Sequence, residues 1–181
     1  MNQGETQLVP ISESSELEIL RNLVPLYLHD LSAYSQELRP NEQGIFEYEG
    51  LHLYGQDERL KAFLIYHESR VAGFLLLNQP PYTAQDVDYC VNELFILKGC
   101  RHKGIARAAV QQVLRQYPGK YLIFQLAGNA QAISFWKKVY DLNGIHFSEK
   151  EELYDGELCN FQRFETGPSS LRRSIQYGKG K

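Results

Sequence analysis

The sequence predicts an α/β fold (α+β mixed): a single twisted, mixed sheet of about six to seven strands with helices on both faces. Three observations carry that prediction. Strand-like and helix-like stretches follow one another as strand, helices, three strands, helix, strand, helix, two strands. An apolar run at 91–97 passes through Lys98-Gly99-Cys100 into a stretch that becomes helical at Gly104, where Ile105, Ala109 and Val113 recur every fourth residue and Val110 and Leu114 widen the stripe. Strong breakers, Tyr117-Pro118-Gly119 and Gly128, then bound a second apolar run.

Taken in order, residues 7–11 read as a short first strand. Ser12 or Ser14 can cap the helix after it, with Glu16 and Glu18 in its first turn. Leu17, Leu20, Val24, Tyr27, Leu28 and Leu31 form an apolar stripe at helical spacing, and Pro25 inside it predicts a kink or a break. Residues 35–58 are irregular and acidic, with Phe46, Tyr48, His52 and Tyr54 among the carboxylates. They suit either a solvated loop with aromatic anchors or a lid over an acceptor site that favours a cationic amine. Residues 61–66 and 71–77 read as a hairpin, and Pro80-Pro81 ends its second strand. Residues 86–97 contain the central strand. Residues 121–124 are apolar on both faces, as a central strand should be. Asn129 is a good cap for a helix whose Ala132, Phe135, Trp136, Val139 and Tyr140 share one side. Residues 144–147 and 157–164 read as closing strands around Asp155-Gly156. The basic, Gly- and Ser-bearing stretch 167–181 predicts a disordered tail after one domain at 1–166.

Composition narrows the function classes. With 181 residues, 43% of them hydrophobic, the chain suffices for one domain with a real core. A net charge of −3 gives no general attraction to nucleic acid or an anionic membrane. No apolar run approaches the roughly 20 residues of a membrane span, and the start MNQGETQLVP lacks the pattern of a secretory signal. Cys90, Cys100 and Cys159 form no C-x-x-C and fit reduced thiols in a cytoplasmic protein. No His/Cys/Asp group has metal-ligand spacing.

The turn at 98–107 makes a chemical statement. Backbone N–H groups in the first turn of a helix lack intrahelical partners, and the helix dipole adds positive character. A diphosphate can bind there if no side chain blocks it. Gly104 has none and Ala106 almost none, while Arg101, Lys103 and Arg107 add charge. The alternative is an ordinary strand-to-helix turn with a solvated basic face. The spacing R-x-x-G-x-A is neither the dinucleotide G-x-G-x-x-G nor a Walker loop. It resembles the coenzyme A signature Q/R-x-x-G-x-G/A of the GNAT superfamily of N-acyltransferases. Glu93-Leu94-Phe95-Ile96 is similar to that family's fourth strand and residues 120–127 to its fifth. Asn129-Ala130-Gln131-Ala132-Ile133-Ser134-Phe135-Trp136 is similar to its N-x-x-A-x-x-F-Y segment. The pieces come in the family's order over roughly 60–166.

The resemblance implies a mostly antiparallel mixed sheet whose fourth and fifth strands splay apart. It also implies an acetyltransferase that uses acetyl-CoA, or another acyl-CoA, to acylate an amine of a small molecule or peptide in a ternary complex. Pyrophosphate would sit on the N–H groups of His102, Lys103, Gly104, Ile105, Ala106 and Arg107, with the charge of Arg101 beside it. The pantetheine would run along Leu94, Phe95 and Ile96, with Asn129 and Trp136 beside it. Glu93 is the candidate base, with Asn92 as a neighbour some relatives use instead. Many relatives have a tyrosine acid where this chain has Trp136, and Tyr140, one turn later, could take that role. Tyr27, Tyr34 and the 44–54 loop would flank the acceptor, and a homodimer is compatible with the family. Two other functions remain open: an acyl-CoA-binding regulatory module without efficient catalysis, and, less well matched, a nucleotide-binding protein.

Overall fold

The computed structural model describes residues 4–167, so the expected tail lies, beyond Gly167, outside the described residues. The elements are β1 (Thr6–Pro10), α1 (Ser14–Leu31), β2 (Leu60–His67), β3 (Arg70–Asn78), β4 (Tyr89–Ile96), α2 (Ile105–Gln116), β5 (Gly119–Leu126), α3 (Ala130–Asn143), β6 (Phe147–Tyr154) and β7 (Glu157–Thr166). One sheet runs β1-β2-β3-β4-β5-β7-β6. Every neighbouring pair is antiparallel except β4 and β5.

Alternation along the strands divides the core in two. Phe63, Ile65, Leu75, Leu77, Val91, Tyr121 and Ile123 face α2 and α3, and pack on Ile105, Ala109, Val113, Val139 and Tyr140. Leu64, Phe74, Leu76 and Phe95 face the other way, under Leu20, Leu23, Val24 and Leu28 of α1. Helices thus cover both faces, but α1 covers only the β2–β4 half of its face.

Three local expectations need correction, while the expected hairpin forms. Neither serine supplies the α1 cap. Instead the Glu16 carboxylate accepts from the backbone N–H of Ser12 (2.7 Å) and Glu13 (3.1 Å). The helix runs unbroken through Pro25, because its stripe of buried leucines docks on the sheet on both sides of the proline. The hairpin turn is Glu68-Ser69, at φ 50° and 61°, so two non-glycine residues take the left-handed turn positions that usually favour Asn-Gly. The first closing strand does not lie at 144–147. β6 spans Phe147–Tyr154 across SEKEELY, because it is an outer strand paired only with β7. An outer strand with charged residues needs no apolar alternation.

Candidate active site

β4 and β5 pair only at Tyr89–Tyr121 and Cys90–Leu122. Beyond Cys90 the two strands part. The Leu97 N–H donates to the Ala72 carbonyl (2.8 Å) across the β3 side. By the two-residue alternation of a strand, Phe95 therefore also turns its backbone to β3, while Leu94 and Ile96 turn theirs into the gap. Gly73 confirms the direction: a Cβ there would collide with the Phe95 carbonyl oxygen. The gap is a slot lined by backbone groups at the carboxyl end of β4.

At the end of that slot the chain makes a short turn, Lys98–Cys100, and enters α2. Gly104 is the residue before the helix, at φ 80°, and a Cβ there would come no nearer than 3.6 Å, to an Arg107 nitrogen. His102 also has positive φ, 62°. Two left-handed residues in this turn curl the backbone so that the first N–H groups of α2 face outward, a concavity suited to an anion. Ile105 is buried in the core, Ala106 is half-buried, and Lys103 and Arg107 are exposed.

Arg101 differs from the free phosphate-facing cation its position suggests. Its Nε donates to the Ile96 carbonyl (2.8 Å) and its Nη2 to Asp30 (2.6 Å) of α1, while the guanidinium lies over the Phe95 ring. Lys98 pairs with the same Asp30 at 3.0 Å. Burial works to raise the Asp30 carboxyl, but hydrogen bonds from Arg101 and Lys98 hold it below its ordinary range. Arg101 therefore ties the end of α1 to the turn and occupies one carbonyl at the end of the slot.

Glu93 lies on the α1 side of the sheet. Leu76 pairs with Glu93 but Leu77 with Val91, so Asn92 is an extra residue on β4. This bulge lets Asn92 and Glu93 present their side chains to one place, which regular alternation forbids. Tyr27, from α1, donates its hydroxyl to Glu93 Oε2. Tyr48, from the 35–58 loop, donates to Oε1 at 3.2 Å. The Asn92 amide donates to the Tyr48 oxygen (2.8 Å) and to Glu93 Oε1 (3.2 Å). Behind them the buried Tyr54 donates to Asn78 Oδ1 (2.7 Å). Burial pushes the Glu93 carboxyl up to about 7, against the two tyrosine hydrogen bonds that lower it. A carboxyl poised there can take a proton near neutral pH.

Asn129 Oδ1 accepts from the Ala132 N–H (3.1 Å), capping α3. Trp136 is 4% exposed, and Tyr140 is fully buried with its hydroxyl donating to Gln162 (2.9 Å). Rings of Trp136, Phe147 and Phe164 surround Tyr140. Tyr34 is exposed just beyond α1. Sequence reasoning did not single out Tyr48, Asn92 and Asp30 as a set. The one available signal was aromatic residues recurring in an acidic loop.

A cleft of about 460 Å³ lies on the half of the sheet that α1 leaves open. Leu122, Phe124, Phe161 and Cys90 belong to its lining, with Tyr82, Tyr154, Lys150 and Arg163 at its sides, and Asn92 brings it next to Glu93. Among the described residues no His/Cys/Asp/Glu group could hold a metal ion, and no helix is long and apolar enough to cross a membrane.

Comparison with known proteins agrees with this geometry. The acetyltransferase (GNAT) family model matches residues 24–140. No curated protein sequence matches the chain. Among solved structures, an acetyltransferase from Thermus thermophilus superposes with a TM-score of 0.64 at 18% identity, over 91% of this chain and 99% of that one. The ribosomal-protein-S18-alanine N-acetyltransferase from Escherichia coli gives 0.56 at 15% identity, over 90% and 95%. A CoA-dependent acyl-homoserine lactone synthase, BjaI, solved with SAM and isopentyl-CoA, gives 0.60 at 12% identity, over 92% and 86%. At such identities the likeness is one of fold. The family model spans the parted strands, the glycine turn and the carboxylate between them, and on that match the chain belongs to the GNAT family of acetyltransferases.

Proposed function

We propose that this chain transfers an acyl group from acetyl-CoA, or a close acyl-CoA, to an amine by direct attack in a ternary complex. The observation that carries the reading is the slot beyond Cys90, with open β4 backbone ending at the uncapped amides of α2. It is supported by the family and by a neighbour solved with an acyl-CoA.

In this reading the N–H groups of residues 102–107 hold the diphosphate of the donor, with Lys103 and Arg107 beside it. Leu94 and Ile96 pair with its pantetheine amides, and a backbone N–H there polarises the thioester carbonyl. Glu93 accepts the proton the acceptor amine must lose before or during attack. The nitrogen forms a bond to the carbonyl carbon, the carbon–sulfur bond breaks, and the sulfur leaves as a thiolate. Tyr140 is given a packing role, since its hydroxyl already serves Gln162. A thiolate is a weak enough base to leave without that acid. The acceptor's body lies in the cleft beside Asn92. A soluble cytoplasmic enzyme with a peptide or small-molecule acceptor completes the reading.

Calorimetry tests it. Acetyl-CoA should bind, while ATP and NAD should not. Gly104→Asp should abolish binding by placing a carboxylate against the diphosphate. The variant should fold, because the space is open and Asp tolerates the left-handed region at a cost of about 1 kcal/mol. Normal binding by this variant, or preference for either nucleotide, ends the reading. Binding of acetyl-CoA without thiol release, across a panel of amines, would instead indicate a binding module.

A further inference from the structure

We infer that Tyr27, Tyr48 and Asn92 are positioning residues that fix the orientation of the Glu93 carboxylate and set the pH at which it works. The inference rests on the reading of Glu93 as the base. It adds three residues from three separate elements, whose hydrogen bonds meet on one side chain.

The geometry is specific. Oε2 takes the Tyr27 hydroxyl, and Oε1 takes the Tyr48 hydroxyl and the Asn92 amide. Tyr48 is itself held by Asn92, at 2.8 Å, so its hydroxyl proton is directed at Glu93 rather than at Asn92. The Tyr27 ring is locked edge-on between Phe74 and Phe95. With two donors on Oε1 and one on Oε2 the carboxylate cannot rotate freely, yet Oε2 keeps a lone pair for an incoming proton.

The groups facing Glu93 carry no charge near neutral pH. They are Tyr27 from α1, Tyr48 and Tyr54 from the loop, and Cys90 from its own strand. Burial raises all four above their ordinary values, Cys90 to about 12. Among the described residues no cation contributes to the Glu93 titration. Its position is therefore a contest between burial, which favours the neutral acid, and neutral donors, which favour the carboxylate. Removing a donor must move the titration upward.

The test needs no acceptor. Protein labelled with ¹³C at glutamate side-chain carboxyls is titrated by NMR, and the Glu93 resonance is assigned by its absence in Glu93→Gln. The wild-type midpoint should lie near 7. Tyr27→Phe and Tyr48→Phe should each raise it by about one pH unit, and together by more, since two to three such bonds can depress a carboxyl by about two units. Asn92→Ala, on a half-buried position, should raise it too, and keeps the test open should a tyrosine variant fold poorly. Unchanged midpoints in the folded variants overturn the inference and leave these side chains as packing. Turnover separates the two ideas: if Glu93→Gln keeps full thiol-release activity, Glu93 is not the base, whatever its titration shows.

Discussion

Glu93 shows how a single residue can be costly to the fold and still useful. Burial lifts its carboxyl from 4.5 to about 7 in the folded protein. Between those values the folded state holds a proton that the unfolded state has released, so stability falls as pH rises through the window. The favourable contribution is complete below about 4.5 and lost once pH passes the folded value. We expect wild-type protein to lose roughly 1–3 kcal/mol between pH 5 and pH 8 from this group, allowing for its partial exposure. Glu93→Gln, neutral at all pH, should flatten that slope in urea melts. An equally steep variant would place the pH dependence elsewhere. The residue itself was legible in the sequence as a carboxylate at the end of an apolar strand. Its face was not, because a one-residue bulge at Asn92 leaves no mark in the apolar pattern.

At the scale of elements, legibility followed burial. β4, β5 and α2 lie inside the molecule, and their apolar runs and stripe announce them. β6 lies at the sheet's outer edge, and its SEKEELY segment carries no alternation to read. The contact between α1 and the turn before α2 was also invisible, since 71 residues separate Asp30 from Arg101. That contact joins the helix carrying Tyr27 to the turn that opens the proposed diphosphate site. Asp30 lies between Arg101 and Lys98 and is one-fifth exposed. A pair so placed should be worth more than a surface pair and less than a buried one, roughly 1–2 kcal/mol. Asp30→Asn should cost that much at neutral pH. Because the Asp30 carboxyl is held low, the contribution is present above its unfolded value and lost as pH falls through the folded one. The difference between wild type and variant should therefore shrink in acid. A constant difference from pH 7 to pH 3 would show that packing, not charge, is what the variant removes.

At the scale of the whole molecule, the uneven helix cover decides what can reach Glu93. Among the described residues three α-helices serve a seven-stranded sheet, and α1 shields only β2, β3 and β4 on its face. The cleft over β5 and β7 is what remains. The acidic 35–58 loop suggests a cationic acceptor, but its Glu42, Glu47 and Glu49 are exposed while Phe46 and Tyr48 point inward. The cleft itself offers Leu122, Phe124 and Phe161. Its charges are already satisfied, Lys150 by Glu152 at 2.5 Å and Arg163 by Asp86 at 2.8 Å. An apolar surface with neutralised sides rewards burial of an apolar body and offers little to a second ammonium group. An amine with an aryl or branched alkyl body should therefore be a better acceptor than a polyamine. With 2-phenylethylamine and spermidine as probes, kcat/KM should favour the former by about tenfold or more, the difference a few buried methylenes make. Phe161→Ala should raise KM for 2-phenylethylamine severalfold while leaving acetyl-CoA affinity unchanged, because Phe161 lies on β7, away from the slot between β4 and β5. Faster turnover of spermidine, with Phe161→Ala indifferent, would place the acceptor under the acidic loop instead of over the open sheet.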